Sequence, residues 1–229
     1  LDAQVDADLP ILISSRVPAN GLRALESLTS RQVQRLPTGA RARVKRLHLA
    51  SPAMGVPDNY LSRWPRILHA DTGCLLRFRE EIFDKTGGTA ATPPEKVFLK
   101  RTTAHRKLAN QDELQALAEA HGFTTVQLEK LDFCEQVALF RGARVVVGGS
   151  GAAMANYLFS GPQTRVIDLV SRHNIDSPLP ALICAVGGAD FAYLYGDAER
   201  RLAECRSLHE ARHADFRVEP ADLARQLRA

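Results

Sequence analysis

The chain has 229 residues, of which 45% are apolar and 24% are charged, and this length suits one large domain or two small ones. The proportions are those of a globular protein and argue against disorder, collagen or repeat architectures, and no apolar run approaches the ~20 residues of a membrane span. The formal net charge is +4, with arginines spread along the sequence. No signal-peptide pattern is visible at the N-terminus. Because the chain starts at Leu1 rather than Met, we expect that upstream residues have been removed.

The first 90 residues carry an irregular pattern of strands and helices. Apolar spacing predicts strands over Leu9–Ser14 and Val44–Leu49, and helices over Gly21–Leu28 and Asp71–Lys85. The stretch Thr86–Pro94 has the glycine, threonine and proline content of a linker. We therefore predict an N-terminal α/β domain over residues 1–90 and a second domain over residues 91–229.

A basic run, Arg41–Arg46, and four cysteines bear on partners and compartment. The run suits phosphate, an anionic glycan or a membrane surface, or else it is the solvated edge of a strand. Its cations are not interleaved with aromatic residues, which argues against nucleic acid as a partner. No two cysteines have C-x-x-C spacing, which argues against structural zinc, and they fit either a reducing compartment or two disulfides.

Strands and helices alternate regularly after residue 95. The predicted strands are Lys96–Lys100, Thr124–Leu128, Arg144–Gly148, Arg165–Val170 and Phe191–Tyr195. Helices begin after Asn110 and Asp132, each followed three residues later by Glu in the manner of a capping box. Two more helices are predicted over residues 152–159 and Pro220–Arg228. Such alternation predicts a parallel sheet covered by helices, whose strands share one ligand-binding edge at their carboxyl ends.

A glycine-rich turn, Gly148–Ala153, follows the third of these strands and opens a helix. Its small residues let a ligand approach the backbone, and free N–H groups at a helix start favour an anion. The turn lacks the third glycine of the dinucleotide fingerprint, the Gly-Lys-Ser/Thr of a P-loop, and the G-x-S-x-G of a hydrolase elbow around Ser150. It therefore predicts a phosphate or pyrophosphate site, with tight helix–sheet packing as the alternative.

Charged and polar residues reach the same edge of the predicted sheet. Lys100, Arg101 and Arg106 lie at or just after the end of its first strand, where arginine suits two-point contacts with phosphate; solvated loop cations are the alternative. Asp168 lies in an apolar strand, where a carboxylate needs a partner, either a ribose hydroxyl or a buried cation. Asn156, a weak helix former, is expected to hydrogen-bond a loop or a ligand.

Three stretches of the sequence together resemble a known family. The runs FLKR…HRKLANQDELQALAEAHGF, FCEQVALFRGARVVVGGSGAAMANYLF and TRVIDLV resemble glycosyltransferase family 61, closely over residues 96–170 and more loosely over 9–85 and 178–228. The family includes bacterial capsular polysaccharide biosynthesis proteins and eukaryotic xylosyl- and N-acetylglucosaminyltransferases. The resemblance implies a GT-B-like α/β fold of two Rossmann-like lobes with parallel sheets. The N-terminal, acceptor-side lobe would be abbreviated, and the C-terminal lobe would bind a nucleotide sugar.

The resemblance also implies a reaction, the inverting transfer of a hexosyl or pentosyl group from a nucleotide sugar, expected to be UDP-linked, to a glycan or polysaccharide acceptor. No metal or other cofactor is expected. The residues predicted to hold the donor and its phosphates, from the pattern and the resemblance together, are Lys100, Arg101, Arg106, Asn110, Gln136, Gly149, Ser150, Gly151, Ala152, Ala153, Asn156 and Asp168. The general base is not identified, and Asp58, His69 and Asp71 are polar candidates in the acceptor-side lobe.

One position departs from the family pattern, which has His before Gly-Ala where this chain has Ser150. Serine keeps a hydrogen-bond donor but lacks imidazole charge. The alternative function is therefore a non-catalytic nucleotide-sugar- or glycan-binding member of a polysaccharide synthesis complex, and a third is another α/β enzyme acting on a phosphorylated metabolite. The resemblance to bacterial members predicts a cytoplasmic protein, associated with the inner membrane surface or a synthesis complex.

Overall fold

A computed structural model of the chain describes residue 6 and residues 8–49, 53–55, 69–87, 92–103, 105–174 and 177–228. The chain divides into two compact units, Leu1–Pro52 and Ala53–Ala229. The division thus falls at a different place from the linker predicted over Thr86–Pro94, and the helix that precedes this linker belongs to the second unit.

The N-terminal unit contains a small β–α–β motif. β1 (Ile11–Ser14) and β2 (Val33–Leu36) pair in parallel, and α1 (Ala19–Leu28) connects them. The strand and helix predicted at the start of the chain are confirmed. The strand predicted over Val44–Leu49 is wrong, since this segment is irregular and exposed. The predicted strand overlaps the run Arg41–Arg46, which holds four cations, and packing this run into a sheet would desolvate their charges.

The second unit begins with a short strand pair and a long helix. β3 (Met54–Gly55) and β4 (His69–Ala70) pair antiparallel. α2 (Thr72–Thr86) starts at Asp71, whose Oδ1 accepts a hydrogen bond from the Cys74 amide at 2.8 Å. The helix predicted over Asp71–Lys85 is therefore confirmed, and the carboxylate at its start acts as the N-cap.

A six-stranded sheet forms the centre of the second unit. Its strands are β5 (Lys96–Leu99), β6 (Thr124–Val126), β7 (Val145–Gly149), β8 (Arg165–Ser171), β9 (Asp190–Ala198) and β10 (Phe216–Arg217). They lie in the order β10–β9–β8–β7–β5–β6, and all pairs are parallel except that of β10 with β9. The predicted parallel α/β sheet is confirmed, and the sheet is Rossmann-like.

Helices cover both faces of this sheet. They are α3 (Gln111–Ala120), α4 (Phe133–Gly142), α5 (Leu179–Gly187), α6 (Leu208–Arg212) and α7 (Pro220–Arg228), with a 3-10 helix at Ala152–Phe159. α3 and α7 pack together over one face, and α4, α5 and the 3-10 helix pack together over the other, with α2 against α4 and α5. At the start of α4, Asp132 and Glu135 form the predicted capping box, with reciprocal bonds of 2.8 and 2.7 Å.

Candidate functional site

Arg101 and the glycine turn meet at the carboxyl ends of β5 and β7. Leu99 pairs with Gly148 across these strands, and two residues further on Arg101 donates a hydrogen bond from Nη1 to the Ser150 carbonyl oxygen at 2.7 Å. The absence of a side chain at Gly151 makes room for this contact, because a Cβ there would lie 2.8 Å from Arg101 Cζ. The parallel strand order predicted this meeting, and the structure shows the atoms through which it happens.

The glycine turn leaves open space and backbone donors at this edge. A Cβ added at Gly149 would meet no atom of the described residues within 4 Å. Ala152 and Ala153 open the 3-10 helix, where the first N–H groups lack intrahelical acceptors. The Ser150 amide is already used, since it donates to the Leu169 carbonyl oxygen at 2.8 Å. An anion would therefore be held by the amides after Ser150 rather than by the whole turn.

The loop after β5 fixes Arg101 from behind. Gln111, at the start of α3, accepts from the Arg101 amide at 2.8 Å and donates to its carbonyl oxygen at 3.1 Å. Arg106 has a φ of +52°, in the left-handed region that arginine rarely adopts, and its amide donates to the His213 carbonyl oxygen at 3.2 Å. Arg101 Nη1 also lies 3.5 Å from the Arg106 carbonyl oxygen. Burial lowers the pKa of Arg101, and repulsion from Arg106 lowers it further.

Asp168 lies fully buried beneath the turn, on β8. Its Oδ1 accepts a hydrogen bond from the Tyr157 hydroxyl at 3.0 Å, and its Oδ2 has no hydrogen-bond partner among the described residues. Burial raises the pKa of Asp168 to about 7, against the opposing effects of the Tyr157 hydroxyl, the Ser150 side chain and the charge of Arg101. The sequence offered a ribose hydroxyl as one partner for this carboxylate, but the carboxylate is buried in this structure.

Asn110 has a different role from the predicted helix cap. Its side chain makes no capping hydrogen bond. Instead it is buried and bonds both backbone groups of Val218, donating to the carbonyl oxygen at 2.8 Å and accepting from the amide at 3.2 Å. Its Nδ2 also lies 3.1 Å from Glu113 Oε2. The capping box predicted at Asn110 is wrong, because the side-chain amide of Asn110 is hydrogen-bonded to the backbone of Val218, just after β10.

Three further predicted residues have protein partners away from the turn. Lys100 Nζ lies 3.0 Å from both Asp112 Oδ1 and Gln115 Oε1 on α3. Asn156 donates to Gln136 Oε1 at 3.0 Å, and Gln136 in turn donates to the carbonyl oxygens of Leu128 and Leu131. This amide pair joins the 3-10 helix to α4, so these residues support the turn from below.

The candidates for a general base are Asp58, His69 and Asp71. Asp58 lies outside the described residues, as does the side chain of His69, whose backbone is in β4. Asp71 is the N-cap of α2. Both His69 and Asp71 belong to the same unit as the parallel sheet rather than to the N-terminal unit.

Each unit contains a cavity at the carboxyl ends of its parallel strands. One of about 440 Å³ adjoins Arg101 on its α3 side and is lined also by Thr102, Lys107 and Arg217. The other, of about 500 Å³ in the N-terminal unit, lies at the ends of β1 and β2 and includes Ser14 and Arg16. Ligands of parallel α/β sheets bind at this edge.

Two residues of the site went unnoticed in the sequence, Gln111 and Tyr157. Gln111 follows Asn110 in an ordinary helix start, and its hold on Arg101 depends on a loop that returns to the helix. Tyr157 is one aromatic residue in an apolar segment, and its hydroxyl finds Asp168 only across the packed layers. Neither carries a local pattern that distinguishes it from a core residue.

The fold and this edge define a Rossmann-like α/β protein in which Arg101 contacts a glycine turn at the carboxyl ends of the parallel strands. Comparison with known proteins gives the family: the model of glycosyltransferase 61 matches residues 40–167, more than half of the chain. The chain belongs to glycosyltransferase family 61, as its motifs suggested.

A curated relative comes from Drosophila melanogaster. It is an EGF domain-specific O-linked N-acetylglucosamine transferase, 31% identical over 115 residues, which are 48% of this chain and 22% of the relative. The chain therefore spans only about a fifth of the length of this relative. Within the part of the chain that the structure describes, none of the helices combines the length and hydropathy needed to cross a bilayer.

Proposed function

We propose that the chain carries the nucleotide-sugar site of a glycosyltransferase of GT-B architecture. This enzyme would transfer a hexosyl or pentosyl group, with inversion, to a glycan or polysaccharide acceptor. Membership in family 61 supports the reaction class. The observation that carries the location of the site is the contact between the Arg101 guanidinium and the Ser150 carbonyl oxygen, beside the open space at Gly149.

The chemistry of such a transfer concentrates charge on the departing nucleoside diphosphate. Arg101 Nη1 lies 3.5 Å from the Arg106 carbonyl oxygen, and the amides of Ala152 and Ala153 begin the adjacent 3-10 helix. Cations and amides fixed before the reaction stabilise developing charge without reorganising. Arg101 is partly buried, its backbone is held by Gln111, and its guanidinium donates to the Ser150 carbonyl oxygen at 2.7 Å, so this cation is such a fixed group. These residues would neutralise the diphosphate without a metal ion.

The donor that we propose to test first is UDP-N-acetylglucosamine. The relative from Drosophila melanogaster is named as an N-acetylglucosamine transferase, and its identity with this chain is 31%. The acceptor side is proposed only as a class, a glycan or polysaccharide, and a general base would be sought among Asp58, His69 and Asp71.

The test measures nucleotide binding to wild type and to Gly149→Ala by calorimetry, with UDP-N-acetylglucosamine, UDP and CMP. The added methyl group meets no described atom within 4 Å, so the fold is kept while the space at the turn is narrowed. We expect affinity for the preferred nucleotide to fall by about tenfold or more, which corresponds to about 1.4 kcal/mol. Gly73→Ala on α2 is the matched control, with contacts no closer than 3.4 Å, and should bind as wild type does. Folded wild type that binds no nucleotide, or equal binding by Gly149→Ala, would contradict the proposal.

A second candidate is a non-catalytic nucleotide-sugar- or glycan-binding subunit of a polysaccharide synthesis complex. The observation in its favour is that Ser150 presents a hydroxyl, 3.1 Å from Met154 Sδ, where the family pattern has an imidazole. Ser150→His separates the two. Donor hydrolysis or sugar transfer that appears only in the variant supports the binding subunit, whereas transfer by wild type excludes it.

A further inference from the structure

Asp168 lies in a row of residues that crosses the sheet directly below the glycine turn. Leu99, Gly148, Asp168 and Tyr193 are paired across β5, β7, β8 and β9. Residues in such a row point to one face of the sheet, here the face that the 3-10 helix covers, as the hydrogen bond from Tyr157 to Asp168 shows. Gly148 has no side chain, and the Leu99 side chain fills this space, with its Cβ 2.8 Å from where a Cβ of residue 148 would lie.

The carboxylate of Asp168 is incompletely satisfied. It is 0% exposed, and its Oδ2 has no hydrogen-bond partner among the described residues. A buried carboxylate that keeps its charge needs cations or several donors. Tyr157 supplies one donor, and the Ser150 side chain also stabilises the charged form. Arg101 lies at the same edge, because its Nη1 donates to the carbonyl oxygen of Ser150, two residues after the Gly148 that pairs with Asp168. The charges of Arg101 and Arg106 therefore act on the carboxylate. These two arginines are also the cations proposed to hold the diphosphate.

The groups that face Asp168 from each packed element are few. They are Arg101 and Arg106 from the loop after β5, Ser150 from the turn, Tyr157 from the 3-10 helix, Cys184 from α5 and Tyr193 from β9. Cys184 and Tyr193 have raised pKa values, chiefly because they are buried, so both stay neutral. Among these groups of the described residues, the two arginines are the cations that can balance a charge on Asp168.

We propose that Asp168 couples proton uptake to anion binding: when a diphosphate occupies the turn and draws on the charges of Arg101 and Arg106, Oδ2 of Asp168 takes a proton from solvent. The new O–H bond makes the carboxyl group neutral, and the proton is supplied by buffer, so charge balances. That the anion is a nucleotide diphosphate rests on the proposed function, whereas the coupling between Asp168 and the arginines does not. Donor affinity would then fall as pH rises above neutrality.

The coupling is tested first without ligand, by a carbon-13 NMR titration of aspartate Cγ atoms. Asp168→Asn identifies the signal. Since burial holds the pKa of Asp168 at about 7 against the charge of Arg101, Arg101→Gln should move its titration midpoint upward by about one pH unit. Arg172→Gln is the matched control, because Arg172 is exposed and paired with Asp197 at 2.7 Å. A midpoint that Arg101→Gln leaves unchanged overturns the proposal.

Proton uptake is then measured by calorimetry at pH 8, in buffers of different ionisation enthalpy. The ligand is UDP-N-acetylglucosamine, whose diphosphate diester does not titrate near neutral pH. With a pKa of about 7, Asp168 is about nine-tenths ionised at this pH. Wild type should therefore take up as much as ~0.9 proton for each ligand bound. Asp168→Asn should take up none. Asp190→Asn, at the exposed start of β9, should behave as wild type.

The outcomes separate the coupling from the proposed function. Proton uptake that persists in Asp168→Asn overturns the proposal. So does uptake that is lost in His105→Gln, a change in the loop after β5. Binding without uptake overturns it too and leaves the proposed function standing. If no nucleotide sugar binds but Arg101→Gln shifts the titration, the proposed function fails and the coupling is supported.

Discussion

Truncation of Asn110 gives the sharpest test of how the loop after β5 is held in place. Its amide bonds both backbone groups of Val218, at 2.8 and 3.2 Å, and Val218 is 1% exposed. Asn110→Ala leaves a buried carbonyl oxygen and a buried amide without partners, and each such group costs ~1–3 kcal/mol. Because two adjacent groups do not add fully, we expect the free energy of unfolding to fall by about 2–4 kcal/mol.

Urea denaturation followed by circular dichroism measures this change, with nucleotide binding measured on the same preparation. Gln163→Ala is the control, since it removes a single exposed hydrogen bond, to the Arg141 carbonyl oxygen, and should change stability by less than about 0.5 kcal/mol. The reasoning is refuted if Asn110→Ala unfolds as wild type does but no longer binds nucleotide. That result would make Asn110 a donor ligand, as its motif implied.

Two further changes probe the sheet and the buried carboxylate. Gly148→Ala places a Cβ 2.8 Å from Leu99 Cβ on the paired strand, so it should lower the free energy of unfolding in urea by about 1–3 kcal/mol. Gly149→Ala adds its methyl group to open space and should change this free energy little. Equal stabilities of the two variants would contradict the packing at Gly148. The pKa of Asp168 is raised from 3.8 to about 7, so the native state binds more protons than the unfolded state between these values. Relative to Asp168→Asn, wild type should lose roughly 4 kcal/mol of unfolding free energy as pH rises from about 3 to about 8, and parallel pH profiles would refute this.

The residues of the family motifs differ in the partners that the structure gives them. Arg101 and the glycine turn were placed together because parallel strands bring their carboxyl ends to one edge, and this depends only on strand order. Lys100, Gln136 and Asn156 are as polar as Arg101, yet each has protein partners away from the turn. Whether a polar side chain meets a ligand or a neighbour depends on distances of a few ångströms, which residue type and spacing do not specify.

The sequence by itself determined the alternation of strands and helices, the parallel sheet, and helix starts such as the capping box of Asp132 and Glu135. It could do so because hydrophobic periodicity and capping act over a few residues. The tertiary structure alone decided that Val44–Leu49 forms no strand, that Asn110 binds Val218, and that Asp168 is buried with one oxygen unpartnered. Asn110 and Val218 are 108 residues apart in the chain. Contacts of that separation, and the burial that shifts the pKa of Asp168, arise only when the layers pack.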